Sequence, residues 1–248
     1  MMAGEDRIYG RNPVFEVLQA GRRTVFSIQI ARGVEKNERI ARIAGAAKKA
    51  GVTIELVQRK DLDREYDHHQ GVAASVARYP YVSLFDVLDR AGERREKPFV
   101  LLLDSLQNPQ NLGTLLRTAE AVGVHGVVIP PRRAAQVTHA VVSASAGACE
   151  HMFIVQENLA RAVDQLKQAG VWVGGLELRP EAQPLRSLDL SGPLALIVGS
   201  EGRGMRRLVR EKCDFLIKLP MRGRVDSLNA AVAGSICLYA VWESRQEG

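Results

Sequence analysis

The chain reads as an α/β protein in two parts: a small N-terminal α/β domain and a larger C-terminal domain on a mostly parallel sheet. Three observations predict this. Residues 99–103 (FVLLL) and 194–198 (LALIV) are short, unbroken apolar runs, the pattern of strands covered on both faces. Helical patterns alternate with strand patterns along the chain, as a parallel sheet with crossover helices requires. Residues 89–98 (DRAGERREKP) are polar, carry no apolar period and divide the chain.

In order, Asn12 is placed to cap a helix over residues 13–20, with Pro13 at its first position and Gly21 ending it. Residues 24–31 (TVFSIQIA) alternate as a strand. Residues 35–50 are charged and Ala-rich, hence helical, with Gly51 as the stop. Strands follow at 52–57 and 71–77, then a short helix at 84–88. The expected division is a first domain over 1–80, a linker over 81–98 and a second domain over 99–248. In the second domain the pattern is strand 99–103, helix 112–122, strand 126–129, helix 159–169, strands 171–176, 194–198 and 215–219, and an apolar helix over 228–242.

Composition narrows the class. The chain has 248 residues, 46% of them hydrophobic, enough for a packed core. No apolar run reaches the ~18 residues of a membrane span, and the N-terminal MMAGEDRIYG lacks the apolar core of a signal peptide. A soluble, cytoplasmic protein is expected. Cys149, Cys213 and Cys237 have neither disulfide nor metal-site spacing, and Cys213 and Cys237, in apolar surroundings, read as small core residues. His68, His69, His125, His139 and His151 form no ligand pattern either, so no metal is expected, and His68–His69 reads as a surface turn. The net charge of +6 leans toward a polyanionic partner. Residues 1–80 hold fourteen Lys and Arg against ten Asp and Glu. An ordinary solvated surface accounts for that charge equally well.

Three segments after buried strands carry unusual chemistry. In residues 104–123 (DSLQNPQNLGTLLRTAEAVG), Asn111 stands where a helix cap belongs and Arg117 lies in the next turn; capping and an Arg117–Glu120 pair would explain both. In residues 198–205 (VGSEGRGM), three glycines in six residues permit close backbone approach to a ligand, yet neither a Walker loop nor a dinucleotide fingerprint is present. In residues 219–234 (LPMRGRVDSLNAAVAG), Ser227 is a good cap for the final helix, whose N-terminus offers free N–H groups.

Taken together, these segments resemble the three motifs of the SpoU (TrmH) family of SPOUT methyltransferases. The matches are Asn111, Gly113, Arg117 and Thr118; Gly199, Ser200, Glu201, Gly202 and Gly204; and Pro220, Met221, Ser227, Leu228, Asn229 and Ala230. Tyr9-Gly10-Arg11-Asn12-Pro13-Val14 and His69-Gln70-Gly71-Val72-Ala73 are similar to the substrate-binding domain of members that methylate a guanosine ribose in bacterial 23S rRNA. The resemblance implies an L30e-like RNA-binding domain followed by a catalytic domain with a deep trefoil knot. It implies S-adenosylmethionine as cofactor, held by Gly199, Leu219 and Leu228 through their backbones, with Ser200, Gly202, Ile217 and Met221 around it. It implies catalytic roles for Arg117, Asn111, Glu201, Ser227 and Asn229. Asn111 would orient Arg117 or the ribose, and Arg117 would stabilise the developing alkoxide. RNA contacts are expected from Arg11, Asn12, Arg22 and Arg23. Members are homodimers with the site at the subunit interface, to which Leu228, Val232, Ile236 and Trp242 would contribute. The expected partners are RNA and a second copy, with neither DNA nor membrane. The alternatives are a tRNA or other rRNA methyltransferase of the same family, or a non-enzymatic RNA-binding protein.

Overall fold

The computed structural model describes residues 4–224 and 227–246; residues 1–3 of the expected first domain, and Val225 and Asp226 within the third motif segment, lie outside the described residues, as do 247–248. In chain order the elements begin β1 (Glu5–Tyr9), α1 (Arg11–Ala20), β2 (Val25–Ala31), α2 (Glu38–Lys49), β3 (Thr53–Val57), α3 (Arg59–Asp63) and β4 (Val72–Ala77). They continue α4 (Leu84–Arg94), β5 (Phe99–Asp104), α5 (Pro109–Ala121), β6 (Gly126–Ile129), α6 (His139–Ala144) and β7 (Ile154–Gln156). The last are α7 (Leu159–Gln168), β8 (Trp172–Leu176), β9 (Gln183–Pro184), β10 (Leu194–Gly199), α8 (Arg207–Glu211), β11 (Phe215–Lys218) and α9 (Ala230–Gln246).

The chain divides into two units, Met1–Pro80 with Val137–His151, and Tyr81–Gln136 with Met152–Gly248. Two expectations fail here. Residues 81–98 are not a free linker. They hold α4, which starts at a reciprocal capping box between Ser83 and Asp86 and buries Leu84, Val87 and Ala91. Val87 lies against Gly126 of β6, so α4 belongs to the second unit's core. The apolar spacing is present in the sequence, but the dense charge on the opposite face masks it. Residues 137–151, expected in the second domain, pack instead with the first unit.

The first unit is built on a four-stranded sheet of order β1-β4-β2-β3, antiparallel except for β2 beside β3. The α1 helix starts at Gly10 rather than Asn12, so Asn12 is an exposed residue of the first turn. The α2 helix starts where the Asn37 side chain accepts the N–H groups of Arg39 and Ile40. The His68–His69 turn is only half at the surface. His69 is buried, its Nδ1 accepts the Gly71 N–H at 2.9 Å, and its Nε2 meets Asp63 at 2.8 Å. His68 and Gln70 take positive φ of 58° and 54°, and Gln70 is tied to Arg11, whose N–H and Nε donate to its side-chain and backbone oxygens at 3.1 Å each.

In the second unit seven strands run in the order β7-β6-β5-β10-β8-β11-β9, every neighbouring pair parallel. Val100, Leu102, Val128, Ala195 and Ile197 fill one core with α4 and α7. Because all the strands point one way, their carboxyl ends share one edge. The chain leaves β5 toward β6 and β7 on one side, while β10, β8, β11 and β9 lie on the other. Such a reversal leaves an open crevice beyond the strand ends, the place where parallel sheets bind ligands.

Candidate active site

A cavity of about 690 Å³ opens at those ends. It is lined by residues following β8 (Leu176 to Arg179), β10 (Val198 to Gly204) and β11 (Lys218, Leu219, Met221), and by Ser227 to Ala230 at the start of α9. Of the residues expected at the cofactor, Gly199, Ser200, Gly202, Leu219, Met221 and Leu228 all line it. Glu201, Ser227 and Asn229, expected in catalysis, lie among them. The exception is Ile217. It is fully buried in β11, reaching under Gly174 of β8, so only its backbone faces the loop edge, accepting the Glu177 N–H at 3.0 Å.

The glycine loop is tight because it folds back on itself. Ser200 N–H donates to the Gly204 carbonyl at 3.1 Å, and Gly204 N–H donates back to Ser200 at 2.9 Å. A Cβ on Gly199 would fall 2.3 Å from the Gly204 carbonyl carbon, so no other residue fits without moving the backbone. The returning leg is anchored by a residue not foreseen as functional. Asp104, fully buried at the end of β5 and in register with Gly199, accepts the Arg206 N–H and its Nε, both at 2.7 Å. A buried carboxylate is tolerated because these charge-assisted bonds replace its water.

A second cluster joins all three motif segments. Asn111 Nδ2 donates to Glu201 Oε1 at 2.8 Å, and Asn229 Nδ2 donates to Asn111 Oδ1 at 3.1 Å and also to Glu201. The Asn229 oxygen caps α9, accepting from Ala231 and Val232 at 2.9 and 3.2 Å. Two expected caps are thereby corrected. Asn229, not Ser227, caps α9, and Asn108, not Asn111, caps α5 by accepting the Gln110 N–H at 2.8 Å. Asn111 is buried in the first turn of α5 and holds Glu201, not Arg117. Arg117 lies six residues on, about 120° around the helix and ~9 Å along it. It is exposed and does not line this chain's cavity.

Positive charge at the rim was not foreseen either. Glu177 Oε1 holds Arg179 Nε at 3.2 Å and Arg210 at 3.3 Å, and Lys218 and Arg203 line the same cavity. Only their position after strands 171–176 and 194–198, or at the end of strand 215–219, pointed to them. Cysteine chemistry is disfavoured throughout: burial pushes Cys149, Cys213 and Cys237 each up to about 12, keeping the thiols protonated.

The residues expected to contact RNA fare unevenly. Arg23 is interior, forked onto Glu150 at 2.7 and 2.9 Å, with side-chain exposures of 1% and 0%. Burial raises the Glu150 carboxyl above its usual range while Arg23 opposes that shift. Arg23 is therefore a core ion pair and offers nothing to RNA. Arg22 is spent on the Tyr79 hydroxyl and the Pro80 carbonyl. Arg11 and Asn12 remain at the surface, Arg11 joined to Gln70.

Known proteins resemble this chain along nearly its whole length. The SpoU rRNA methylase family model matches residues 98–239, and the model for RNA 2'-O ribose methyltransferase substrate binding matches residues 7–82. A Bacillus subtilis protein, YacO, assigned to the TrmH family of tRNA/rRNA methyltransferases, is 46% identical over 99% of this chain and 98% of its own. A Staphylococcus aureus relative with the same assignment is 43% identical over 97% of this chain and 96% of its own. Among solved structures, the SpoU methyltransferase AviRb from Streptomyces viridochromogenes, in complex with AdoMet, superposes with a TM-score of 0.83 at 23% identity, covering 99% of this chain and 92% of that one. An AdoMet-bound rRNA methyltransferase from Sinorhizobium meliloti gives 0.77 at 23% identity, over 96% and 86%. A family model over more than half of the residues, and a relative this similar over almost all of them, show that the chain belongs to the SpoU (TrmH) family of RNA methyltransferases.

Proposed function

We propose that the chain methylates a ribose 2′-oxygen of RNA with S-adenosylmethionine, and that the ribose is that of a guanosine in bacterial 23S rRNA. The observation that carries the reading is the cavity on which the second and third motif segments converge, with Asn111 of the first bonded to its Glu201. Its size suits a nucleoside-sized ligand. The Gly199 cradle, which a Cβ would fill, suits a cofactor recognised by backbone amides and carbonyls. Gly199, Ser200, Gly202, Leu219, Met221 and Leu228 would hold S-adenosylmethionine, which supplies a methyl group already activated on a sulfonium.

The protein's own task is to align the ribose oxygen and to manage the charge of a very weakly acidic hydroxyl. Among the described residues neither His nor Cys lines the cavity. Glu201, fixed by Asn111 and Asn229, shapes the mouth beside Ser227. Arg117, permanently charged, would stabilise the developing alkoxide and position the ribose or its phosphate. Because it lies outside its own cavity, the reading requires a homodimer in which Arg117 of a second copy completes the site. Support comes from the exposed apolar row Val232, Ile236, Tyr239 and Trp242 along α9, with Leu228 just before it, 37–48% exposed, which suits an isologous contact.

The substrate is tested by mapping ribose methylation in 23S rRNA and tRNA from cells lacking the protein. Loss of one guanosine mark in 23S rRNA is expected; loss of a tRNA mark instead would transfer the function to tRNA. The shared site is tested by mixing two inactive variants, Arg117→Ala and Asn229→Ala. Mixed dimers regain up to a quarter to a half of the activity if each site draws on two chains, by order-of-magnitude counting of subunit combinations. A site within one chain gains nothing.

A further inference from the structure

We propose that the α1–α2 face of the first unit, carrying Arg39, Arg42 and Lys49, is where the phosphodiester backbone of the RNA substrate docks. The inference rests on RNA being the substrate and adds where it is gripped.

Phe15 of α1 is only 8% exposed, and two cations cover it. The guanidinium carbons of Arg39 and Arg42 lie 4.1 and 4.6 Å from the ring centroid. Stacking on the ring favours each cation singly, but two like charges on one ring repel unless a counter-charge is near. The nearby carboxylate is Glu16, and it is shared: it accepts from Arg39 at 3.1 Å and meets His151 Nε2 at 3.1 Å. Arg42 is exposed and makes no ion pair or hydrogen bond among the described residues; Glu38, one helical turn before it, stays apart. Arg39 Nε is buried without a hydrogen-bond partner among the described residues.

The groups facing this surface are thus Arg39, Arg42 and Lys49 against Glu16 and Glu38, with His151 at its edge. Lys49 lies seven residues after Arg42, two turns along nearly the same face. A guanidinium held over a ring loses freedom of movement and keeps the planar fork of donors that matches phosphate oxygens, and Arg42 is exposed with that fork unengaged among the described residues. Such contacts position a nucleic acid without reading its sequence. Arg42 differs most from Arg22 and Arg23 of the same unit, which spend donors inside the protein, while Arg39 gives one amino group to Glu16.

The test measures binding of a 23S rRNA transcript, with bulk tRNA as second probe, across a salt series for wild type, Arg39→Gln/Arg42→Gln and Arg39→Lys/Arg42→Lys. Each lost phosphate contact lowers the slope of log affinity against log salt by about 0.7–0.9. The Gln pair is therefore expected to lose about 1.5 in slope and roughly tenfold or more in affinity near 0.1 M salt. The Lys pair, keeping charge but not planarity, should retain most of the slope. S-adenosylmethionine binding by calorimetry should be unchanged in both. If the arginines only shield Phe15, both pairs will lower the melting temperature while the Gln pair keeps the wild-type slope, and the proposal is overturned. The two readings fail separately. A wild type that binds RNA through this face but methylates no 23S rRNA removes the substrate assignment and keeps the surface. A wild type that methylates 23S rRNA while the Gln pair binds normally removes the surface alone. A wild type without salt-dependent RNA binding removes both.

Discussion

The two sheets spend their loop polarity differently. In the mixed sheet of the first unit, the loop before β4 is closed on itself: His69 serves Gly71 and Asp63, and Gln70 serves Arg11. In the parallel sheet of the second unit, the loops after β8, β10 and β11 line a cavity, and those after β10 and β11 are held from behind by Asp104 and Asn111. The difference follows from strand direction. Antiparallel pairing divides strand ends between two edges, whereas parallel pairing gathers the carboxyl ends on one. Positive-φ backbone therefore sits in a loop tied into the protein in one unit and in a loop that lines a cavity in the other.

Paired glycine substitutions test this contrast most sharply. Gly199→Ala should lower S-adenosylmethionine affinity by about a hundredfold or more, ~2.7 kcal/mol, because its Cβ would meet backbone at 2.3 Å. Gly71→Ala meets only Val34 side-chain carbons at 3.1 Å, but at a φ of +84°. It should cost about 1–3 kcal/mol of stability and leave cofactor affinity untouched. Calorimetry and denaturant unfolding separate the two, and equal loss of affinity in both variants would end the contrast.

A smaller effect is expected behind the glycine loop. Asp104→Asn keeps the shape but loses the charge that holds Arg206, and should weaken cofactor binding about tenfold, ~1.4 kcal/mol. Arg206→Ala, which leaves the backbone donor in place, should weaken it less. Unchanged affinity in a folded Asp104→Asn protein would show that the loop holds itself.

The mildest effect is centred on the first unit and depends on pH. Burial lowers the His139 imidazole from 6.5 to about 4, and burial also lowers His125 of the second unit. The unfolded chain therefore binds more protons in that window, so stability is full above about pH 6.5 and falls as pH drops toward 4. His139→Asn should flatten part of that slope in denaturant titrations. An unaltered slope would place the sensitivity elsewhere.

Much of this architecture is legible in the amino-acid sequence. The buried strands stand out as unbroken apolar runs, and the three motif segments fall where such strands end. What stays hidden is decided by tertiary contact. Asn108 and Asn111 are equally good caps in sequence, and burial beside Glu201 chooses between them. Ser227 and Asn229 pose the same choice, settled in the same way. The partner of Arg23 is 127 residues away, so nothing local marks that arginine as interior. Ile217 looks like a cofactor neighbour, but strand alternation turns its side chain into the sheet. The short β1, α6 and β7 give no periodic window long enough to read.

The segment Val137–His151 has a practical corollary for dissecting the molecule. The chain leaves the second unit after Gln136 and rejoins it at Met152, so no single cut releases either half intact. A fragment ending at Pro80 would lack Glu150, the buried carboxylate that takes two of the Arg23 bonds, and would leave that cation with the more exposed Asp6 as its carboxylate partner. The modules are interleaved rather than strung together. Exchanging the first unit between relatives would demand transplanting two stretches of gene, together, in matching pairs.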